Sequence, residues 1–349
     1  MKLIIQIPCY NEAKTLRVAL DDLPKTLPGV DEIEYLIIDD GSRDDTVKVA
    51  REWGVHHIIS FPQNKGLAKG FMAGLDGCLK NGADIIVNTD ADNQYRAEDI
   101  QLLIEPILKG KAEMVIGARP IDEIKHFSFT KKLMQHFGSW VVRKASATDI
   151  PDAPSGFRAL SREAALRMNV INDYTYTLET IVQAGREKIA ITSVPVHTNE
   201  ELRPSRLFKS IFGYVKKSVV MILRAYIMYN PLKFFTYLSI LPTLIGVGIG
   251  IRFLYFMSIG DSGGHVQSLI LACTLIIIGF LTFTIGMVSD MIAANRRILQ
   301  DTQYHVRKME CMLYQQGEQS RIKGSREEIQ RRQNETAKKN EMDLIHPLP

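Results

Sequence analysis

Two long stretches without a charged residue, at positions 234–251 and 266–289, constrain this chain more than any other feature. An apolar helix needs roughly 20 residues to cross the hydrocarbon core of a bilayer, and somewhat shorter stretches also suffice. Buried helices of water-soluble proteins seldom run this long without a polar face. The sequence therefore predicts two transmembrane helices, at residues 233–257 and 266–289.

The rest of the chain has the composition of a water-soluble protein. Its 349 residues suffice for one large domain and a membrane region, and a net charge of only +4 gives no reason to expect a nucleic-acid partner. The four cysteines lack the spacing of metal-binding or redox pairs, which fits a reducing compartment. No signal-peptide pattern precedes the first apolar run, so we expect residues 1–205 to form a cytoplasmic domain.

Short apolar runs alternate with helical patterns as far as Arg119. This alternation predicts a parallel sheet with right-handed crossovers, a Rossmann-like α/β fold. Four of the predicted strands end in polar residues, namely Pro8 to Glu12, Asp39-Asp40, Asp90 to Asp92, and Arg119. Because the carboxyl ends of parallel strands meet at one edge and bind ligands there, we expect a nucleotide-sized site at that edge.

Asp90 and Asp92 follow a strand of branched apolar residues, Ile85-Ile86-Val87. Alternate residues of an extended segment point to the same side, so both carboxylates can reach one point. Two carboxylates that close repel each other unless a cation lies between them, and Mg²⁺ or Mn²⁺ prefers such oxygen ligands. Gln94 continues the alternation and can add an amide oxygen. On these residues alone, a metal site and a polar turn are equally good interpretations.

Five motifs occur in an order and spacing that resemble the family 2 glycosyltransferases, which carry a GT-A nucleotide-sugar domain. They are Pro8-Cys9-Tyr10-Asn11-Glu12, Ile38-Asp39-Asp40-Gly41-Ser42, Asn64-Lys65-Gly66, Asp90-Ala91-Asp92 and Gly117-Ala118-Arg119. Asp152 and Ser155-Gly156-Phe157-Arg158 resemble the branch with dolichyl-phosphate mannose synthases and bacterial polyprenyl-phosphate glycosyltransferases. The Gln-x-x-Arg-Trp motif of processive synthases is not matched, since Glu187 follows Arg186. The resemblance therefore implies transfer of a single sugar.

The resemblance also implies roles for the polar residues on the donor side. The implied nucleotide-sugar-binding residues are Pro8, Tyr10, Asn11, Glu12, Asp39, Asp40, Lys65, Lys69 and Asp90, and the implied metal ligands are Asp90, Asp92 and Gln94. Asp92 and Arg119 are expected to be catalytic, because the metal and the arginine can both stabilise phosphate charge. Other interpretations stay open. Glu12 can stabilise a helix start, and the lysines can be merely solvated.

A lipid-phosphate acceptor is an anion, so cations are also needed on the acceptor side. The resemblance points to Arg119, Arg203, Ser205 and Arg206 as lipid-phosphate-binding residues. Ser205 and Arg206 match the family pattern, whereas Arg203 is taken as the substitute for an arginine further upstream in the family. Two acidic residues, Asp152 and Glu179, occupy catalytic positions of the family and can orient sugar hydroxyls or act as a base. Glu179 can equally be an ordinary exposed helix residue.

Basic residues flank the predicted spans unevenly. Residues 206–232 mix apolar and basic side chains and are expected to form amphipathic helices in the membrane interface. The loop between the spans has no lysine or arginine, so we expect a multi-pass cell-membrane protein with its catalytic domain and both termini in the cytoplasm. Residues 301–349 are interpreted as a charged cytoplasmic tail that is partly disordered. Small residues such as Gly246, Gly248 and Gly250 would permit a homo-oligomer through the transmembrane helices.

These observations predict a metal-dependent inverting glycosyltransferase that is anchored in the membrane. It would move one sugar from a UDP- or GDP-sugar to a polyprenyl phosphate, such as undecaprenyl phosphate, at the inner leaflet. Two alternatives remain at this stage. The acceptor can be another lipid or a glycan, or the chain can be a non-catalytic membrane scaffold with a degenerate sugar-nucleotide domain.

Overall fold

A single mixed sheet organises the first part of the chain. The computed structural model describes residues 1–120, 143, 146, 148–170, 176–199, 220, 223–224, 226–228, 230–260 and 266–345. The seven strands of this sheet are β1 (Lys2–Cys9), β2 (Glu32–Asp39), β3 (His57–Ser60), β4 (Ile85–Asn88), β5 (Met114–Ala118), β6 (Arg158–Ser161) and β7 (Ile191–Pro195). They are arranged in the order β3-β2-β1-β4-β6-β5-β7.

Helices cover both faces of the sheet. The helices with described bounds are α1 (Leu16–Asp21), α2 (Thr46–Trp53), α3 (Leu67–Lys80), α4 (Ile100–Leu108), α5 (Arg162–Arg167), α6 (Thr177–Arg186), α7 (Pro231–Ser258) and α8 (Val266–Ile345). Strand β1 shows why the apolar runs are uninterrupted. Ile4 belongs to the core cluster on the side of α3, while Leu3 and Ile5 belong to the cluster on the side of α1 and α4. All three residues are completely buried.

The sheet is not entirely parallel, in contrast to the sequence prediction. Strand β6 lies between β4 and β5 and is antiparallel to both, with Arg158 opposite Asn88 and Ile116. Its apolar part is only Ala159-Leu160, which is too short to be recognised as a strand by periodicity. Because β4 and β5 both run against β6, they still run in the same direction as each other. The carboxyl ends of β1, β2, β4 and β5 therefore share one edge, as predicted.

Among the described residues, helices α7 and α8 each contain a segment that is long and apolar enough to cross a membrane. Only 11% and 17% of their most apolar windows are buried inside the protein. The two helices pack closely through small residues. A Cβ atom added to Gly246 would lie 2.9 Å from the carbonyl oxygen of Ala272, whereas one added to Gly248 or Gly250 meets no described atom within 4 Å. Gly246 thus serves packing within one chain, and the predicted homo-oligomer stays a prediction.

Helix α8 continues well beyond its apolar part and ends only at Ile345. The structure of residues 301–345 therefore differs from the sequence prediction of a partly disordered tail. Residues 301–345 are rich in Glu, Lys, Gln and Arg and contain no proline, a composition with high helix propensity. The interfacial helices predicted at 206–232 lie mostly outside the described residues.

Candidate active site

The loop after β1 lies at the edge where the strands end. Pro8 and Cys9 close the strand, and Tyr10 follows with 41% of its surface exposed. Asn11 has a φ of +55°, a conformation that asparagine tolerates better than most residues. Its backbone N–H donates to the Ser42 hydroxyl at 2.9 Å, and its side-chain oxygen accepts from the Arg43 N–H at 2.8 Å. The loops after β1 and β2 are thereby joined, with the Tyr10 ring at the rim.

Glu12 is buried at the start of the segment that leads into α1. Its backbone N–H donates to the Thr46 hydroxyl at 2.9 Å, and its carboxylate accepts from the Thr15 hydroxyl at 3.0 Å. Glu12 therefore helps to shape the turn that precedes α1. A contact between Glu12 and a nucleotide stays a prediction.

The two carboxylates after β2 have different local partners. Asp39 accepts a hydrogen bond from the Ser42 N–H at 2.9 Å, within a turn. Asp40 accepts from two consecutive backbone N–H groups, Lys65 at 2.6 Å and Gly66 at 3.0 Å. Both oxygens of Asp40 therefore hold the loop that opens α3. This geometry gives Asp40 a structural task, whereas the second oxygen of Asp39 has no such partner among the contacts described.

The lysines of this loop lie at the start of α3. Lys65 places its ammonium 4.6 Å from the centre of the Phe61 ring, a favourable cation–π arrangement. Lys69 is exposed in the first turn of the helix. A helix N-terminus carries a partial positive charge. Lys65, Lys69 and the N-terminus of the fourteen-residue helix α3 thus present positive charge beside Asp40.

Asp90 and Asp92 follow β4 at the same edge. A Cβ atom added to Gly156 would lie 3.1 Å and 3.3 Å from the two carboxylate oxygens of Asp90, so any larger residue at position 156 would crowd that carboxylate. Asp92 accepts a hydrogen bond from the Gln94 N–H at 3.2 Å, which shapes the loop. The described residues contain no group of three His, Cys, Asp or Glu side chains that could hold a metal. Two carboxylates and an amide would leave positions for phosphate oxygens and water, which suits Mg²⁺ or Mn²⁺.

A buried polar network lies directly beneath Asp90. Asn88, completely buried, donates from its amide to the Gly156 carbonyl oxygen and to the Tyr176 hydroxyl, both at 2.9 Å. Its own oxygen accepts from Gln6 at 2.9 Å. The Tyr176 ring stacks on Phe71 with 3.9 Å between ring centres. Burial, followed by the nearby charge of Asp90, raises the pKa of Tyr176 well above its ordinary value, so its hydroxyl stays protonated.

The sequence prediction missed this network. Its members are distant in sequence and come together only through the pairing of β4 with β1 and β6. One signal was nevertheless visible. Gln6 interrupts the apolar run Leu3-Ile4-Ile5-Gln6-Ile7, and a buried polar side chain in a strand needs a partner.

Arg158 is a completely buried cation in the same region. It donates to the carbonyl oxygens of Ser155 and Thr177 and, at 2.6 Å, to the Thr180 hydroxyl. Its guanidinium lies 5.0 Å from the centre of the Tyr176 ring. No described carboxylate forms an ion pair with it, and burial lowers its pKa. Glu179, which was predicted to be catalytic, lies half-buried next to Thr180 in the first turn of α6.

Arg119 and Asp152 form the strongest ion pair of the site. The guanidinium donates to both carboxylate oxygens, at 2.7 Å and 3.1 Å, and the Arg119 backbone N–H adds a third bond at 3.2 Å. Burial alone would lower the pKa of Arg119, but Tyr95 and Asp152 outweigh burial and raise that pKa. The guanidinium is therefore a permanent cation. Asp152 orients it, and both oxygens of Asp152 are engaged.

The chain after β7 returns to the loop that carries Asp92 and Gln94. Thr198 pairs with Tyr95 in an antiparallel bridge. The Asn199 backbone N–H donates to the Gln94 carbonyl oxygen at 2.9 Å, and its side-chain amide donates to the Asn93 carbonyl oxygen at 3.0 Å. The predicted metal loop is thus tied to the segment that leads toward the predicted acceptor residues. Those residues, Arg203, Ser205 and Arg206, lie outside the described part of the chain.

The chain is similar to known glycosyltransferases. The model of the family described as glycosyl transferase family 2 matches residues 4–167. A UDP-N-acetylglucosamine–dolichyl-phosphate N-acetylglucosaminyltransferase of Methanococcus voltae is 30% identical over 216 residues, which cover 55% of this chain and 83% of the relative. An undecaprenyl-phosphate mannosyltransferase of Micrococcus luteus is 27% identical over 225 residues, covering 61% of this chain and 90% of the relative.

The fold is also found among solved structures. A glucosyl-3-phosphoglycerate synthase from Mycobacterium tuberculosis, solved with Mn²⁺, UDP-glucose and phosphoglyceric acid, has a TM-score of 0.52. The two proteins are 20% identical, and the match covers 64% of this chain and 79% of the synthase. The similarity at this level concerns the GT-A fold. With the edge motifs, the family match and the Methanococcus relative taken together, the chain belongs to the family 2 glycosyltransferases.

Proposed function

We propose that this protein transfers one sugar from a UDP- or GDP-sugar to a polyprenyl phosphate such as undecaprenyl phosphate. The observation that carries the proposal is the buried Arg119–Asp152 pair at the edge that also holds Asp90 and Asp92. Asp152 holds the Arg119 guanidinium in one orientation, from which it would donate charge-assisted hydrogen bonds to phosphate where two phosphate-bearing substrates would meet. The named acceptors of the Methanococcus and Micrococcus relatives are dolichyl phosphate and undecaprenyl phosphate, which supports the choice of acceptor.

On the donor side, Asp90 and Asp92, with Gln94, would hold Mg²⁺ or Mn²⁺. When bound, the cation would act as a Lewis acid that stabilises charge on the diphosphate. Tyr10 at the rim and Asp39 in its turn would contact the base and ribose. The N-terminus of α3 with Lys65 and Lys69 would face the diphosphate, as expected for an anion at a helix N-terminus. The Mn²⁺ and UDP-glucose of the Mycobacterium tuberculosis structure support testing these ligands first.

The chemistry itself is a displacement at the anomeric carbon. An oxygen of the lipid phosphate forms the new bond to that carbon, and the bond to the nucleotide diphosphate breaks with inversion. The phosphate oxygen is already anionic, so no strong base is needed. Arg119 would bring the acceptor phosphate within attack distance of the sugar, which is the main requirement when both substrates are anions. Arg203, Ser205 and Arg206 are proposed to add acceptor contacts.

We further propose that α7 and α8 cross the cell membrane, with the sheet domain and both termini in the cytoplasm. The absence of lysine and arginine from positions 258–265, and the basic residues after 289, support this orientation. The active-site edge would then face lipid phosphates of the inner leaflet.

The decisive experiment is turnover of the detergent-solubilised protein with undecaprenyl phosphate, a panel of UDP- and GDP-sugars, and Mg²⁺ or Mn²⁺. We expect nucleotide release that requires the lipid phosphate and the metal, and that falls at least about a hundredfold in Asp92→Ala. Asp31→Ala is the matched control and should retain full activity, because the Asp31 side chain is 87% exposed and the residue precedes β2, at the end of that strand opposite the active-site edge.

Two other results would change the conclusion. Nucleotide release only with a different lipid or a glycan would keep the donor half of the proposal and replace the acceptor. Metal-dependent nucleotide binding without turnover on any acceptor would identify the protein as a non-catalytic membrane scaffold.

A further inference from the structure

Helix α8 connects the second apolar stretch to the sheet domain without interruption. The sequence contains neither glycine nor proline between Gly286 and Gly317, and these residues are the usual causes of kinks. Ser289 and Arg307 are 18 positions apart, which corresponds to about 27 Å along a helix axis. The distance along α8 between Ser289 and Arg307 is therefore fixed.

Arg307 is buried although it belongs to a strongly charged part of the sequence. Only 9% of its surface is exposed. One guanidinium nitrogen donates to the carbonyl oxygens of Leu166 at 3.1 Å and Met168 at 2.7 Å, and the other donates to Asp76 in α3. Leu166 and Met168 lie at the C-terminal end of α5, where carbonyl groups lack helical partners and attract a cation. Arg307 therefore fastens α8 to two helices of the sheet domain.

The neighbouring residues extend this contact into a docking segment, which we define as residues 304–315. Cys311 is 4% exposed and belongs to the same core cluster as Phe71 and Leu75 of α3. Three further polar pairs join the segment to α3 and α5: Tyr304 to Glu163 at 2.6 Å, Glu310 to Lys80 at 2.6 Å, and Gln315 to the Leu79 carbonyl oxygen at 3.2 Å. The docking segment is thus part of the domain rather than a solvated tail.

The docked helix α3 also reaches the active-site edge. Its C-terminal half carries Asp76 and Lys80, which contact the docking segment. Its N-terminal end follows Gly66, whose backbone N–H is held by Asp40 at 3.0 Å. A single helix therefore links the docking segment to the loop that is proposed to face the nucleotide.

We propose that Arg307 is a positioning residue for the transfer reaction, because it fixes the height and tilt of the active-site edge above the bilayer. The inference rests on the proposed function. A polyprenyl phosphate keeps its phosphate in the headgroup plane, so the edge must be held at a matching height. A misplacement of about 1 Å can cost about a hundredfold in rate. A water-soluble acceptor has no such constraint, since it can diffuse to the edge at any height.

The test compares two acceptors in vesicles that contain the full-length protein. One is undecaprenyl phosphate embedded in the bilayer, and the other is geranyl phosphate, a short prenyl phosphate that remains largely in water. The variants are Arg307→Ala, Arg307→Lys and the control Arg297→Ala, which removes an exposed arginine from the same helix. In parallel, energy transfer from a bound fluorescent nucleotide to a headgroup dye reports the distance between the site and the bilayer, independently of turnover.

For Arg307→Ala we expect kcat/KM to fall by about tenfold or more with the embedded acceptor. The value with geranyl phosphate and the Kd of the nucleotide should stay within about twofold, because Arg307 contacts the C-terminal half of α3 and contributes no group to the edge itself. Energy transfer should change, and Arg307→Lys should restore part of both effects. Arg297→Ala should resemble the wild type.

Several results would overturn the inference. An equal loss with both acceptors would show a general loss of folding, and an equal loss in Arg297→Ala would show an effect of helix charge alone. Unchanged energy transfer in Arg307→Ala would rule out a change in height, even if the wild type used only the embedded acceptor. A wild type that binds the nucleotide but transfers sugar to neither prenyl phosphate would instead refute the proposed function, and the inference with it.

Discussion

Arg119 and Asp152 form a buried ion pair in which each charge neutralises the other. Their side chains are 9% and 1% exposed. Desolvation of two charges is compensated only by close hydrogen bonds, so the two residues depend on each other. The pair therefore contributes to stability, in addition to the role in the reaction that is proposed for it. The same bonds that hold Asp152 also keep the Arg119 guanidinium in one orientation at the edge.

Removal of one partner should therefore be costlier than removal of both. Arg119→Met leaves a buried carboxylate without its cation and should lower the free energy of unfolding by about 3–5 kcal/mol. The double variant Arg119→Met/Asp152→Leu should recover most of that stability while remaining inactive. Denaturant titration of the purified protein in detergent measures both values. A double variant no more stable than the single one would contradict the account.

Tyr176 and Gly156 are both held by the Asn88 amide, and Gly156 lies against the Asp90 carboxylate. Tyr176→Phe deletes one acceptor of the Asn88 amide and leaves a buried N–H unsatisfied, at a cost of about 1–3 kcal/mol. We expect the Kd of Mn²⁺ in the presence of nucleotide to rise about fivefold or more, as measured by calorimetry. The control is Tyr35→Phe, which removes a hydroxyl that donates to the Pro24 carbonyl oxygen at 3.0 Å, away from the edge. Equal effects of the two variants would exclude a positioning role.

At the scale of elements, the loops rather than the strands determine how the edge is shaped. Gly41 lies between Asp40 and Ser42 with a φ of +73°, and an added Cβ would lie 2.6 Å from the backbone of Gln63. Gly54 has a φ of +91° but meets no described atom within 4 Å. The two glycines carry similar backbone strain when substituted, and only one of them touches the loop held by Asp40.

This contrast permits a matched comparison. Both Gly41→Ala and Gly54→Ala should lower stability by about 1 kcal/mol through their positive φ. Only Gly41→Ala should also displace the loop at Gln63 and Lys65, and we expect its Kd for the nucleotide to rise about tenfold. Fluorescence titration with a labelled nucleotide measures the difference. If both variants bound the nucleotide like the wild type, the loop would not contribute to the site.

The sequence was informative where local pattern and function coincide. The uninterrupted run Ile85-Ile86-Val87 followed by Asp90 and Asp92 predicted both the buried strand and its place at the edge, since strand direction determines which ends meet. Strand β6 was missed because only two of its residues are apolar and Arg158 is buried by hydrogen bonds that periodicity does not reveal. The docking of Arg307 was missed for a similar reason, because its partners are more than a hundred positions away.

At the scale of the whole molecule, α7 and α8 form one packed pair. A side chain at Gly279 would collide with Thr243, whereas Gly248 has open space among the described residues.

Gly279→Leu should overpack the pair, at a cost of about 1–3 kcal/mol, and lower the melting temperature in detergent. Gly248→Leu should leave that temperature unchanged. A change in oligomer size on gel filtration for Gly248→Leu alone would instead support the predicted homo-oligomer.

The position of Cys311 in the core cluster has a consequence for the order of synthesis. The ribosome makes this residue after both apolar helices, yet it fills the same cluster as Phe71, which is made early. The sheet domain therefore completes its packing only after the second apolar helix has been synthesised and α8 has returned to the domain. If α7 and α8 cross the membrane as proposed, a chain inserted in the opposite orientation would leave that cluster open, so the packing of the domain would depend on the topology.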